Sequence, residues 1–219
     1  MERDEFAGAI DHTLLSKDAR RSDFEAAVDV ARELGLNVCL PPSRLDLAAD
    51  LDGEVMTVVG FPMGYSETEV KVREAEIAVE RGADSVDVAC DVTRMKSGEF
   101  EAFHDDLAAV VEVAPSTKAI LEVGLLTDVE VRRAAELAVD AGVDYLKTST
   151  GYFGNVSLDD VALLAGLELD VEVKASGGVR SAERALRLLE AGASRVGSSA
   201  GAEIAREFER GLHGASKPG

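Results

Sequence analysis

Residues 143–151, Val-Asp-Tyr-Leu-Lys-Thr-Ser-Thr-Gly, read as a short strand running straight into a loop of small residues. With Val143, Tyr145 and Lys147 on one face, the amine of Lys147 stands at the strand's carboxyl end. Parallel α/β architectures gather their chemistry there, because the backbone amides beyond are free to hold a ligand. Two accounts of this lysine compete: an amine placed to react, or a long side chain that snorkels from an edge strand into solvent. Alternation in other strands bears on the choice, since positions facing packed helices should be apolar. Val86 and Val88 then face out and leave Ser85 and Asp87 inside. Ala119, Leu121 and Val123 likewise leave Lys118, Ile120 and Glu122 inside, and Val171 and Val173 leave Glu172 and Lys174. Placing Leu146 outside leaves Lys147 inside. Asp87, Lys147 and Lys174 are therefore expected to converge at one mouth, with Glu122 a candidate fourth member. Lys118 starts its strand and is expected near the opposite end.

Neighbouring strands lie about 4.8 Å apart, so two lysines ending adjacent strands bring like charges together. One amine should then lose its proton readily and act as a nucleophile at neutral pH. Beside a second cation and a carboxylate, such an amine is equipped for Schiff-base chemistry on a carbonyl substrate. The competing account is an internal ion-pair network that holds the fold, with Asp87 neutralising one lysine; it would perturb proton affinities too.

These side chains need a frame. Short apolar runs alternate about eight times with amphipathic segments of about a dozen residues. Strands are expected at 7–10, 36–40, 55–60, 85–89, 118–123, 143–147, 171–174 and 195–197. Helices are expected at 24–34, 43–49, 66–81, 99–114, 128–141, 158–166, 181–191 and 202–212, with a loop over 91–98. Gly82-Ala83-Asp84, Gly142-Val143-Asp144 and Gly192-Ala193-Ser194 repeat one turn between helix and strand. The pattern predicts a single compact (β/α)8 TIM barrel over residues 1–213, with a doubly wound open sheet as the runner-up. A disordered tail is expected over 214–219. Two glycine-bearing turns, Ser176-Gly177-Gly178-Val179-Arg180 and Gly197-Ser198-Ser199-Ala200-Gly201, follow strands seven and eight, where barrels of this kind commonly build a phosphate site.

Composition limits the partners. Of 219 residues, 42 are acidic and 23 basic, a net charge of −19, which repels nucleic acid and anionic membranes. So acidic a chain, with only seven lysines, is what a salt-rich cytoplasm would favour, because screening there suppresses self-repulsion. No apolar run reaches the roughly 18 residues of a membrane span, and the acidic N-terminus is unlike a signal peptide, so a cytoplasmic location is expected. Cys39 and Cys90 are expected as buried free thiols. His12, His104 and His213 show no metal-ligand spacing, and no metal or other cofactor is expected.

Taken together, these residues resemble the deoxyribose-phosphate aldolase family from Ile10 to about Gly201. The carriers are Ile10-Asp11-His12-Thr13-Leu14-Leu15, Val58-Val59-Gly60-Phe61-Pro62, Gly82-Ala83-Asp84 with Asp87, Met95-Lys96-Ser97-Gly98, Leu146-Lys147-Thr148-Ser149-Thr150-Gly151 and Val173-Lys174-Ala175-Ser176-Gly177-Gly178. The resemblance implies a class I aldolase that cleaves 2-deoxy-D-ribose 5-phosphate to D-glyceraldehyde 3-phosphate and acetaldehyde without a cofactor. It implies that Lys147 forms the imine, that Lys174 lowers the pKa of Lys147, and that Asp87 shuttles protons. It also implies that Asp11, Thr13, Cys39 and Thr148 line the substrate pocket, that Gly151, Gly177, Gly178, Gly197 and Ser199 bind phosphate, and that the protein is a homo-oligomer. Tyr152 stands where some members carry a phosphate-binding lysine, Ala200 where many carry a serine, and Val123-Gly124 where Thr-Cys is usual. No terminal tyrosine is present. Two other accounts fit the same residues: another barrel-type sugar-phosphate lyase or isomerase, and a non-catalytic phosphosugar-binding protein.

Overall fold

The computed structural model describes the backbone of residues 1–215 and the side chains through Leu212. Eight parallel strands form a closed barrel: β1 (Ile10–Thr13), β2 (Asn37–Cys39), β3 (Val55–Val59), β4 (Ser85–Ala89), β5 (Thr117–Ile120), β6 (Tyr145–Lys147), β7 (Glu172–Ser176) and β8 (Arg195–Ser198). Each pairs with its neighbours in sequence, and β8 pairs with β1, so the barrel expectation holds and the open sheet does not. The single-domain expectation holds with it. A shell of helices covers the outside: α1 (Arg3–Gly8), α2 (Arg21–Leu34), α3 (Thr68–Glu80), α4 (Val92–Ser97), α5 (Phe100–Val111), α6 (Asp128–Asp140), α7 (Leu158–Ala165), α8 (Ala182–Glu190) and α9 (Gly201–Ala215). No helix among the described residues is long and apolar enough to cross a membrane.

The alternation rule explains why this ring closes. Val86, Val88, Ala119, Leu146, Val173, Ala175 and Val196 all join the apolar layer between strands and helices. Each fully buried valine there stabilises the fold by about 1.5–3 kcal/mol, which fixes the polar alternates of the same strands on the inside. Thr127, Ser157 and Ser181 cap the starts of α6, α7 and α8. Thr127 and Glu130 form a reciprocal capping box at α6, and Ser157 and Asp160 do so at α7.

Four expectations are corrected. Most of the expected strand at 7–10 is instead the end of α1, whose buried residues are Phe6 and Ala7, so β1 begins at Ile10 and Asp11 is a strand residue. Residues 92–97 form helix α4, capped by the Asp91 side chain, which accepts from the Thr93 N–H at 3.0 Å. β5 ends at Ile120, and Glu122 follows in a left-handed conformation (φ 55°) before a single 3-10 turn. α9 continues through Gly214 and Ala215, and the rest of the expected tail, 216–219, lies outside the described residues.

Two contacts outside the ring hold the site's frame. At the floor, Phe6 of α1 stacks on Phe208 of α9 with ring centroids 4.0 Å apart, and Arg3 pairs with Glu209. Behind β4, the fully buried Lys71 of α3 donates to Asp106 of α5 at 2.6 Å and to the Ala89 carbonyl at 3.0 Å. That amine ties the carboxyl end of β4 to two helices, which steadies the strand carrying Asp87.

Candidate active site

Register brings the two lysines together. Lys147 ends β6 directly beside Lys174 on β7. Both side chains turn into the barrel, and both amines meet a single oxygen of Asp87. Oδ2 accepts from Lys147 Nζ at 2.7 Å and from Lys174 Nζ at 2.8 Å. Asp87 is completely buried, and its Oδ1 has no hydrogen-bond partner among the described residues. The expected convergence of the three groups is therefore present.

Their surroundings differ, and the difference separates their roles. Lys174 also lies 2.8 Å from Asp11 Oδ2 and donates to the Met56 sulfur at 3.3 Å. Lys174 thus donates two hydrogen bonds, to Asp87 and Met56, and is paired by charge with a second carboxylate, Asp11. Burial would lower the pKa of Lys174, but the charges of Asp11 and Asp87 outweigh it and raise the pKa above the usual lysine value. Burial opposes ionisation of Asp87 in the same way, and the charges of Lys147 and Lys174 overcome it and hold the carboxyl below its usual range. Among the described residues Lys147 has Asp87 alone as an anionic partner, and it reaches the cavity above.

That cavity has a volume of about 280 Å³. Lys147 stands at its base, and its wall comes from the loops after β1, β3, β6, β7 and β8. Gly151, Gly177, Gly178, Gly197 and Ser199, all expected in phosphate loops, line it, as does Thr13. A side chain at Gly197 would be crowded, its Cβ 3.1 Å from Ser176 Cβ and 3.3 Å from the Lys174 stem. At Gly178, φ is 71° and a Cβ would fall 2.2 Å from Asn155 Oδ1, so backbone freedom and close approach are both required.

Hydroxyls hold these loops in place. Ser176 Oγ donates to the Ser149 carbonyl at 2.6 Å, and Ser198 Oγ donates to the Val179 carbonyl at 2.6 Å. Ser199 and the exposed Arg180 make no side-chain hydrogen bond or ion pair among the described residues, so a hydroxyl and a guanidinium are available to an anion. Phe61 and Tyr152 meet edge to face across one side of the mouth, 5.6 Å between centroids.

Three of the expected substrate-pocket residues are buried and do not line this cavity. Asp11 is fully buried, bound by Lys174 and Arg195, and stands behind the cavity. Cys39 packs in a small apolar cluster with Met56 and Val58, and burial pushes its thiol up to about 12. Thr148 is fully buried too: its hydroxyl donates to the Ser176 carbonyl and accepts from the Ser176 N–H, both at 3.1 Å, so it joins β6 to β7. Glu122 does not meet the amines. Its carboxylate accepts from the Thr150 N–H at 3.1 Å and the Thr150 hydroxyl at 2.6 Å, because β5 has already ended and the chain has turned. Glu172 is exposed at the start of β7.

Below the amines the interior is charged in a way the sequence reasoning missed. Arg195 Nε lies 3.0 Å from Asp11 Oδ1, and its Nη1 lies 2.8 Å from Glu54. Glu54 also accepts from Lys118 at 2.7 Å and from Ser85 at 2.5 Å. Alternation along β8 carried the signal for Arg195, because it shares a face with the inward Gly197. Glu54 precedes β3 and had none. No cluster of three His, Cys, Asp or Glu side chains suited to a metal occurs among the described residues.

Comparison with known proteins agrees with this geometry. The model of the DeoC/LacD family aldolases matches residues 6–211. A deoxyribose-phosphate aldolase of Natronomonas pharaonis is 42% identical over 212 residues, 95% of this chain and 97% of the relative. Deoxyribose-phosphate aldolase 1 of Staphylococcus aureus is 41% identical, over 93% of this chain and 97% of the relative. Among solved structures, an aldolase designated QR15 superposes with a TM-score of 0.93 at 34% identity, covering 97% of this chain and 99% of the other. The tetrameric deoxyribose phosphate aldolase of Aeropyrum pernix does so with a TM-score of 0.88 at 32% identity, covering 95% and 92%.

Proposed function

The chain belongs to the DeoC/LacD aldolase family, and from that premise we propose that it is a class I aldolase of deoxyribonucleoside breakdown, reversibly cleaving 2-deoxy-D-ribose 5-phosphate through an imine on Lys147. The observation that carries this reading is the division of labour between the two amines. Lys174 is held charged by two carboxylates, and Lys147 shares a carboxylate oxygen with it and opens onto the cavity. Neutral Lys147 attacks the substrate aldehyde, and the carbinolamine loses water to give an iminium. The C3 hydroxyl then gives up its proton, its electrons form the new carbonyl, and the C2–C3 bond breaks into the iminium. Glyceraldehyde 3-phosphate departs, and the enamine left on Lys147 takes a proton at carbon. Water hydrolyses the resulting iminium to acetaldehyde and the free amine. Asp87 Oδ1, buried beside the amine with a lone pair unclaimed by any described residue, is placed to pass these protons, directly or through one water. Thr13 lines the substrate end, and Gly151, Gly177, Gly178, Gly197, Ser199 and Arg180 form the phosphate end.

Borohydride reduction in the presence of acetaldehyde tests the imine. Activity should be lost irreversibly, with a two-carbon mass gain on the peptide carrying Lys147 and none in Lys147→Leu. An unmodified Lys147 would reject the mechanism and leave the lysine pair as part of an internal ion-pair network.

The same reading places the enzyme in the cytoplasm, where Cys39 and Cys90 remain buried thiols; fractionation to a membrane or secreted pool would reject it. It also makes the protein a homo-oligomer, supported by the tetrameric Aeropyrum pernix relative. A monomer mass by light scattering at assay concentration would count against that.

A further inference from the structure

The charged groups inside the barrel form one alternating chain: Lys147, Asp87, Lys174, Asp11, Arg195, Glu54 and Lys118, each in contact with the next. Four are cations and three are carboxylates. We propose that Arg195, on the far side of Asp11 from the reacting amine, is a positioning residue for the aldol reaction: it fixes Asp11 as the anion that keeps Lys174 charged, and its own charge makes Lys147 the proton the chain can release. The inference rests on the imine reading above.

The argument is one of charge count and position. With every group ionised the chain carries a surplus of one cation, so losing one proton brings it to neutrality. Arg195 cannot supply that proton, because guanidinium stays protonated at any working pH. Lys174 is fully buried between two carboxylates, Asp11 and Asp87, and Lys118 is fully buried between Glu54 and Ser85. Lys147 is the terminal member, with one carboxylate shared, and it alone of the four lines the cavity. Other titratable groups facing the chain do not alter the count. Cys39 stays a thiol because burial raises its pKa to about 12, and Tyr145 stays a phenol because burial raises its pKa as well. Asn37, 3.4 Å from Asp11 Oδ1, is neutral. Asp11 Oδ1 thus has Arg195 as its cationic partner, and Asp11 Oδ2 has Lys174.

Arg195→Met removes one cation, after which loss of a proton from Lys147 would leave the chain with a surplus of carboxylate. Release of that proton becomes harder. Glu54→Gln removes an anion and should make it easier. The readout is the pH dependence of the rate at which borohydride and acetaldehyde modify Lys147, measured by peptide mass on protein checked for native circular dichroism. For Arg195→Met the acid limb should move up by about one pH unit, about a tenfold slower modification at a fixed pH on that limb. Arg195→Lys should return most of the shift, and Glu54→Gln should move the limb the other way. A purely structural role would lower the folded fraction and leave the limb of the folded protein in place. An unmoved limb in Arg195→Met, or shifts of the same sign in Arg195→Met and Glu54→Gln, would overturn the proposal. If Arg195→Met does not fold, an unmoved limb in Glu54→Gln overturns it by itself. Absence of modification in the unaltered protein at every pH would instead reject the imine reading, so the two failures are distinct.

Discussion

Asp87 offers one oxygen to two amines and keeps the other bare, and this asymmetry sets how the fold responds to acid. Its folded pKa is held below the unfolded value of 3.8, so its contribution to stability is present above that pH and is lost as pH falls through the lower folded value. Lys174 behaves in the opposite sense: its pKa is raised above 10.5, so its contribution is present below that pH and is lost as pH rises through the folded value. Denaturant midpoints should therefore be flat between about pH 5 and 9 and fall on acidification toward about pH 2. Asp87→Asn should cost about 3–5 kcal/mol at neutral pH, because two buried amines lose a partner. It should also flatten the acid decline; parallel midpoint curves for the two proteins would reject this account. Lys147, Lys174 and Asp87 were legible in the sequence because alternation within a strand decides which side a residue faces. Asp11, Cys39 and Thr148 came only from the family resemblance, and whether their side chains line the cavity is a separate matter. That depends on depth along the barrel axis, which alternation does not encode.

β5 illustrates how far an element's rule extends. Alternation carried through residue 122 puts Glu122 with the amines, yet the strand stops at Ile120 and the left-handed Glu122 swings its carboxylate onto Thr150. No feature of the run Lys-Ala-Ile-Leu-Glu-Val marks that stop, because all of it is compatible with extended backbone. The consequence is that the loop after β6, which supplies Thr150, Gly151, Tyr152 and Asn155 to the cavity wall, is anchored by the loop after β5. Glu122→Ala should cost about 1–3 kcal/mol of stability, the scale of leaving a buried donor unpaired. It should raise KM for the phosphorylated substrate several-fold with kcat little changed. An unaltered KM would show that the loop holds its shape without Glu122. The same limit appears at α1, where the apolar run 7–10 reads as a strand although Ala7 and Gly8 end a helix, since so short a run fits either state.

For the molecule as a whole, eight repeats of strand and helix sufficed to predict the closed ring, while the charge chain through its interior was legible only in its lysines and Asp87, because its members come from seven separate segments. The exterior poses a separate electrostatic problem. Forty-two acidic residues against 23 basic ones give a self-repulsion that ions in solution must screen. Thermal midpoints should rise by several degrees or more between low and molar potassium chloride. The interior amines should feel little of this, so the pH dependence of imine formation should shift far less than the melting temperature. Equal stability at both salt concentrations would remove the case for a salt-adapted surface.

Because β1 pairs with β8 and α1 rests on α9 through Phe6 and Phe208, the first and last segments of the chain complete one another. During synthesis, β1 waits with one edge unpaired until β8 has been made. A ribosome stalled before Arg195 would hold an open, sticky sheet, so ring closure cannot precede synthesis of β8.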